Sequence, residues 1–270
     1  MTGTTGGRTR AVTVLRPTGT AVGDRTIAVE VPVSIEVDGL GYAVMMMTPV
    51  DLVAFATGFM LTERLADSAA DVIEVDPFET ADGWIVRVAL ADHCRGRIHD
   101  RVRHRTSDTS CGLCGIAGLE QLRRPAPTAP APRTTATALF AALAAVRDHQ
   151  PLNAATGATH AAVACDADGR IVAAYEDVGR HNALDKLVGG LAGATIGGFI
   201  LVTSRISFEM VDKALVAGAP LLVGVSAPTT LAIDHAVAHG LTLIALARGD
   251  AMLVVNDPWK RFASGSEGGT

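Results

Sequence analysis

The sequence predicts an α/β protein in two parts, a small α+β unit followed by a larger domain with a mostly parallel sheet and covering helices. Three observations predict it. Strict period-two alternation marks a half-buried strand near the start of the chain. After Thr134, apolar strands alternate with helical segments, the rhythm of βαβ units. The 270 residues, 49% hydrophobic and 19% charged, can bury a sizeable core in one large domain or two ordinary ones.

The first strand follows from Val29, Val31, Val33, Ile35 and Val37, which alternate with Glu30, Pro32, Ser34 and Glu36. Asp38-Gly39 marks a turn, and residues 42–47 read as the return strand. Thr48, a capping hydroxyl before Pro49, starts a helix that is expected to reach about Leu65. Two further strands are expected at 72–75 and 84–90. Then the composition changes. Arg95, Arg97, Arg101, Arg103 and Arg105, with His99 and His104, crowd the stretch before Thr106. A cysteine motif follows, and then Pro125, Pro127, Pro130 and Pro132, an extended linker. Beyond it the pattern predicts a helix at 135–149 and a hairpin of strands 161–165 and 171–175. Helix 182–191, strand 199–202, helix 208–217, strand 221–225, helix 231–238 and strand 241–247 follow. The boundaries drawn are 10–105 for the α+β unit, 106–133 for the cysteine loop and linker, and 134–260 for the α/β domain. Residues 1–9 and 261–270 are expected to be disordered tails.

The formal net charge of −5 argues against a general electrostatic footprint for nucleic acid. Residues 187–204 carry no charge, but Gly189, Gly190, Gly193, Gly197 and Gly198 cut the run into a helix end, a turn and a short strand. A spanning helix needs about 20 predominantly apolar residues, so no membrane segment is expected. The first ten residues lack the apolar stretch of an export signal. The expected setting is the cytoplasm, where thiols stay reduced.

Polar residues collect after the apolar strands. Glu176 to Asn182, Thr203 to Ser207, Ser226 to Thr230 and Arg248 to Asp250 are four such loops. In open α/β sheets ligands bind outside the carboxyl ends of the strands, and helix N-termini there attract anions. One pocket for a polar, phosphorylated ligand is expected, with Arg180, Arg205 and Arg248 matching phosphate geometry. Ser207, Thr229 and Thr230 read more simply as helix caps. Asp177, Arg180, His181 and Asn182, followed by Asp185 and Lys186, read either as a solvated helix start with local ion pairs or as part of the pocket. His160, after Thr156-Gly-Ala-Thr159, read alone is a core or capping histidine.

Ser110-Cys111-Gly112-Leu113-Cys114-Gly115 carries two of the four cysteines. A structural zinc site wants four ligands, and Cys94 and Cys165 stand alone, so they are assigned to packing. Zinc deaminases place a His-x-Glu before Pro-Cys-x-x-Cys. Here His160-Ala-Ala162 lacks the glutamate, Ser110 replaces the proline, and the cysteines precede the histidine. Thioredoxin-like exchange uses the same spacing but opens a helix directly after a strand. Sulfur relay remains beside it: nearby arginines favour the thiolate, and glycines free the backbone around the sulfur. Chemistry alone ranks relay and redox exchange equally.

The ordered combination is specific. Ser110-Cys-Gly-Leu-Cys-Gly115, Thr156-Gly-Ala-Thr-His160, Glu176-Asp-Val-Gly-Arg-His-Asn-Ala-Leu-Asp-Lys186, Ser204-Arg-Ile-Ser-Phe-Glu-Met210, Val225-Ser-Ala-Pro-Thr229 and Arg248-Gly-Asp250 occur in that order. The set resembles the formate dehydrogenase accessory (FdhD) family of sulfur carriers, over about residues 30–257. The resemblance implies a cytidine-deaminase-like three-layer C-terminal domain without deaminase activity. It implies a sulfurtransferase that takes sulfur as a persulfide from a cysteine desulfurase. The acceptor it implies is Mo-bis(molybdopterin guanine dinucleotide), bound as cargo, and the client is the formate dehydrogenase catalytic subunit. Cys111 matches the persulfide-bearing cysteine and Cys114 its partner. Leu246, Ala247, Arg248, Gly249, Asp250 and Ala251 match the cofactor-binding segment. The family commonly has phenylalanine at Leu246 and arginine at Ala251. His160, Asp177, Arg180 and His181 are pocket candidates, with Ser204 and Arg205 at the next loop. A homodimer is expected; no metal site and no permanent prosthetic group are. The alternative is a non-catalytic chaperone that binds the cofactor.

Overall fold

The computed structural model describes residues 6–102, 125–192, 194 and 196–262. In chain order the first elements are β1 (Gly7–Arg16), β2 (Gly19–Ala28), β3 (Val31–Val37), β4 (Leu40–Met47), α1 (Leu52–Thr62), β5 (Val72–Thr80), β6 (Gly83–Leu90) and α2 (Gly96–Val102). Then come α3 (Ala136–Ala145), α4 (Pro151–Thr156), β7 (His160–Cys165), β8 (Ile171–Asp177), α5 (Arg180–Gly190), β9 (Phe199–Val202), α6 (Phe208–Val216), β10 (Leu221–Gly224), α7 (Thr230–Ala238), β11 (Thr242–Ala245) and β12 (Leu253–Asn256). They form two compact units, each discontinuous in sequence. The first is Met1–Pro125, Gln150–Ala161 and Tyr175–Gly193; the second is Ala126–His149, Ala162–Ala174 and Ala194–Thr270.

In the first unit a four-stranded sheet runs β4-β3-β6-β5. The alternation read in the sequence is real: Val33, Ile35 and Val37 point into the core while Ser34 and Glu36 do not. Val86, Val88 and Leu90 of β6 join them, and Leu52, Phe55 and Phe59 of α1 close the core. Each such aliphatic side chain contributes roughly 1.5–3 kcal/mol on burial. The helix expected to start at Thr48 starts instead at Leu52, after Asp51 in a left-handed conformation. Thr48 is buried and turns its polar groups elsewhere. A hairpin, β1 with β2, begins at Gly7, inside the segment expected to be a tail. Its ten residues per strand are largely exposed, so no apolar periodicity announced it.

Helix α5 belongs to this unit rather than to the α/β domain where the sequence reading put it. It packs against α1 at a glycine crossing. A methyl group on Gly58 would overlap the carbonyl of Asp185, and one on Gly189 would overlap the carbonyl of Ala54. Helix axes that close need a position without a side chain on each partner. Thr62 of α1 donates to Asp185 Oδ1 at 2.7 Å across the same crossing.

In the second unit the strand order is β12-β11-β10-β9-β7-β8. β9, β10 and β11 are parallel, and every residue in them is buried, as for strands covered on both faces. β7 pairs antiparallel to β9 and β12 antiparallel to β11. The sheet is thus mixed rather than mostly parallel, because a hairpin turn brings β8 back on β7 and the chain returns along β11 as β12. Leu139, Ala142 and Val146 pack on Val163, Phe199, Leu201 and Val223. The described residues of the uncharged run 187–204 include the end of α5, a turn at 191–192 and β9. Among the described residues no helix is long and apolar enough to cross a membrane.

Candidate functional site

The predicted site residues fall into two groups, one in each unit. Cys111 and Cys114 lie outside the described residues.

In the first unit the dense motif from Glu176 to Lys186 is mostly framework. Asp177 and Lys186 form an ion pair of 2.6 Å with both side chains at 0% exposure. Lys186 Nζ also donates to the carbonyls of Thr48 at 3.1 Å and Glu176 at 3.3 Å. Its three protons therefore each have an acceptor. Asp177 Oδ2 accepts from Thr48 N at 3.1 Å, and Oδ1 from Gly179 N at 2.8 Å and Asn182 Nδ2 at 3.0 Å. Asn182 Nδ2 reaches the Met46 carbonyl as well, at 3.0 Å, and Val178 N donates to Thr48 Oγ1 at 3.3 Å. Together these bonds fasten the start of α5 to the end of β4.

Glu176 does similar work one residue earlier. Its carboxylate accepts from Leu152 N at 2.8 Å and Asn153 N at 2.7 Å, the first turn of α4, and from Thr159 Oγ1 at 2.9 Å. A carboxylate at free helix N–H groups is favoured by their orphan dipoles. Thr159 adjoins His160, so this bond places the start of β7 beside the end of β8. His160 and His181 are half-buried and engaged in further contacts.

Asp177, expected as a pocket residue, is thus a positioning residue: its oxygens are spent on backbone, Asn182 and Lys186. What it positions is the first turn of α5, where Arg180 follows the N-cap Gly179. The Arg180 Nε–H is buried with no hydrogen-bond acceptor among the described residues. An orphaned guanidinium donor costs about 1–3 kcal/mol, so the site invites an acceptor.

In the second unit the ends of β9, β10 and β11 are sewn together by backbone bonds. Val225 N donates to Val202 O, Ile206 N to Ala227 O, Leu246 N to Ser226 O and Ala247 N to Gly224 O, at 3.0 to 3.2 Å. Ser204 is buried and donates to the carbonyl of Arg205 at 3.0 Å, which holds the turn, while Arg205 itself is exposed. Thr229 is a cap as read, accepting from Ala232 N at 3.3 Å; Ser207 takes the N-cap position of α6 and Thr230 is the first residue of α7.

The segment Leu246 to Ala251 turns sharply at this edge. Leu246 holds φ 50°, a left-handed backbone that a leucine adopts only under constraint. Ala247 is buried between exposed neighbours. Arg248 Nη1 donates to the carbonyls of Val225 and Ala247, and its N–H donates to Ala251 O at 2.8 Å. That holds the guanidinium across the ends of β10 and β11, on a residue that is exposed. Gly249 faces open space, so its backbone can be approached closely. Asp250 and Ala251 are exposed, and Ala251 supplies no cation. Exposed Arg205 and Arg248, fixed on tied loops, make an edge suited to an anionic, planar-contact ligand.

Of the remaining cysteines, Cys94 and Cys165 are buried and unbridged. Burial, with Asp166 nearby, pushes the Cys165 thiol up to about 12, so it is inert as a nucleophile at neutral pH. The framework role of Thr48 was missed in the sequence; its partners lie about 130 positions away, and no local pattern reports them.

The FdhD/NarQ family model matches residues 28–261. The chain is 44% identical over 236 residues to a sulfur carrier protein FdhD of Bordetella parapertussis, covering 86% of each chain. It is 42% identical over 238 residues to one from Variovorax paradoxus, covering 87% of this chain and 86% of the relative. A crystal structure described as that of a formate dehydrogenase accessory protein from Desulfotalea psychrophila superposes with TM-score 0.73, covering 94% of this chain and 98% of that one. At 24% identity it supports the fold alone.

Proposed function

This chain belongs to the FdhD/NarQ family, and we propose that it is a cytoplasmic sulfurtransferase whose Cys111 relays a persulfide sulfur to a bound molybdenum cofactor. Its curated relatives are named sulfur carriers. In the proposed cycle the Cys111 thiolate attacks the outer sulfur of a desulfurase persulfide, and the donor's own cysteine leaves as thiolate. Cys111 then carries the sulfur as Cys–S–SH, and Cys114 assists its release. The acceptor is Mo-bis(molybdopterin guanine dinucleotide) held as cargo, and the beneficiary is the formate dehydrogenase catalytic subunit. A deaminase-like layering of the second unit and a homodimer form part of the same reading.

The observation that supports it best is the tied edge of the second unit. A guanine dinucleotide carries phosphates. The Arg248 guanidinium is held on the carbonyls of Val225 and Ala247 before any ligand arrives, so little ordering entropy is lost when it meets an anion, and exposed Arg205 and the bare backbone at Gly249 lie on loops of the same unit.

Incubation with a cysteine desulfurase and cysteine, followed by intact mass spectrometry, tests the relay. The expected result is a gain of one sulfur, removed by reductant and missing in Cys111→Ala. No gain, or a gain undiminished in Cys111→Ala, would refute it. Cofactor binding without sulfur uptake is the outcome that favours a non-catalytic chaperone.

A further inference from the structure

Away from those loops, the turn after β6 meets the short 3-10 turn Ala69–Asp71 that follows α1. There one ligand atom from each of Asp67, Asp71, His93 and Cys94 lies within 4.8 Å of every other. We propose that these four side chains form a zinc site, independent of the cysteine motif.

The donor set selects the ion. A thiolate and an imidazole prefer zinc to calcium or magnesium, and two carboxylate oxygens complete a tetrahedral shell. With Zn–ligand bonds of about 2.0–2.3 Å, tetrahedral edges are about 3.3–3.8 Å. His93 Nε2 and Asp71 Oδ1 already stand 3.3 Å apart, and every other pair of the ligand atoms is within 4.8 Å.

The supporting shell is present. Asp71 Oδ2 accepts from Ser68 N at 2.8 Å, Ser68 Oγ at 3.0 Å and Asp67 N at 3.2 Å. That anchors one oxygen and leaves Oδ1 toward His93. Arg97 grips Asp67 with both Nη atoms, at 2.8 and 2.6 Å, while each carboxylate oxygen keeps a second lone pair. Outer hydrogen bonds of this kind orient metal ligands. The charges also close: Zn²⁺ with one thiolate and two carboxylates sums to −1, and Arg97 cancels it.

An independent observation points the same way. Cys94 is 0% exposed, and its thiol is unbridged and makes no hydrogen bond among the described residues. One side of it packs on the core of the first unit. The other faces three hard or borderline ligand atoms, which apolar packing alone does not explain. On binding, the thiol proton is released to solvent and the Zn–S bond takes its place. The ion would tie the turn before α2 to the turn after α1, and α2 leads in sequence to Cys111.

The test uses the full chain carrying Cys111→Ser and Cys114→Ser, so that those thiols cannot bind metal. Zinc content is measured by mass spectrometry and the site is titrated with Co²⁺. The expected result is one ion per chain, a thiolate-to-cobalt charge-transfer band, and visible bands of tetrahedral intensity. Adding Cys94→Ser removes the charge-transfer band. His93→Gln and Asp71→Asn each weaken affinity more than about 100-fold, and Ser68→Ala about 10–100-fold, as for an outer partner. Should Cys94→Ser not fold, the exposed His93 and half-exposed Asp71 variants decide the matter. No cobalt spectrum, a charge-transfer band that survives Cys94→Ser, or affinity unchanged in His93→Gln and Asp71→Asn overturns the proposal.

Discussion

Replacing Lys186 with methionine tests the reading of the 176–186 motif as framework. The substitution keeps the aliphatic stem and deletes the ammonium. Three acceptors lose their donor: Asp177 Oδ2, 2.6 Å away, and the carbonyls of Thr48 and Glu176. Asp177 keeps the N–H groups of Thr48, Gly179 and Asn182, but its charge is left uncompensated at 0% exposure. Removing one partner of a buried pair costs about 3–5 kcal/mol, well above the 0–1 kcal/mol typical of surface pairs. Urea unfolding at neutral pH should show an unfolding free energy lowered by that amount, seen as a lower midpoint with the slope unchanged. The companion variant Asp177→Asn/Lys186→Met removes the stranded charge and keeps an acceptor for Gly179 and Asn182. It should recover about half of the loss. A loss below about 1 kcal/mol in Lys186→Met, or no recovery in the double variant, would show that the pair is not the fastening it is taken to be.

Gly58→Ala places a methyl group against the Asp185 carbonyl and should destabilise by about 1–3 kcal/mol or more, read by thermal unfolding; an unchanged midpoint would mean that the α1–α5 crossing is looser than it stands. The Cys165 thiol, raised from 9.0 to about 12 by burial, contributes stability that is fully present below pH 9 and lost as pH rises toward 12. The loss reaches about 4 kcal/mol at 1.36 kcal/mol per unit, and Cys165→Ala should flatten that part of the stability profile. Arg248→Gln removes a guanidinium from the strand-end edge, and guanine dinucleotide affinity measured by calorimetry should fall about 10–100-fold, the worth of a charged hydrogen bond.

How much the sequence disclosed follows from the range of the forces involved. Val33, Ile35 and Val37 show as a strand because one face is buried, and β9, β10 and β11 show as apolar runs because both faces are. The β1–β2 hairpin does not show, since Arg8, Arg10 and Arg25 alternate with no buried set. Thr48 was read as a cap because Thr-Pro is a local signal; the contacts that claim it come from Val178 and Asp177, far along the chain. The strand-end loops of the second unit lie where the apolar runs end, because β9, β10 and β11 are neighbouring parallel strands whose following loops emerge at one end of the sheet. The sign of the 176–186 motif was not legible. A string of acids, bases and amides looks the same whether it meets a ligand or the protein's own backbone.

Arg180 separates those two roles within one motif. Lys186, Asp177 and Glu176 have all their bonds inside the first unit, so binding anything more would first break a satisfied network. Arg180 has a buried Nε–H with no acceptor among the described residues, and that donor costs stability as it stands. Arg180→Lys keeps the charge and removes the planar fork. If Arg180 is held for an anionic ligand, the variant should unfold no earlier than the parent, yet bind inorganic phosphate about tenfold more weakly, because an ammonium cannot make the paired contacts of a guanidinium. If Arg180 is framework like its neighbours, the pattern inverts, with an unfolding free energy lowered by more than about 1 kcal/mol and affinity unchanged. On the ligand reading, Arg180→Lys therefore lowers affinity without lowering stability, whereas Lys186→Met lowers stability. A pair of variants six residues apart can thus show which part of the motif faces the ligand.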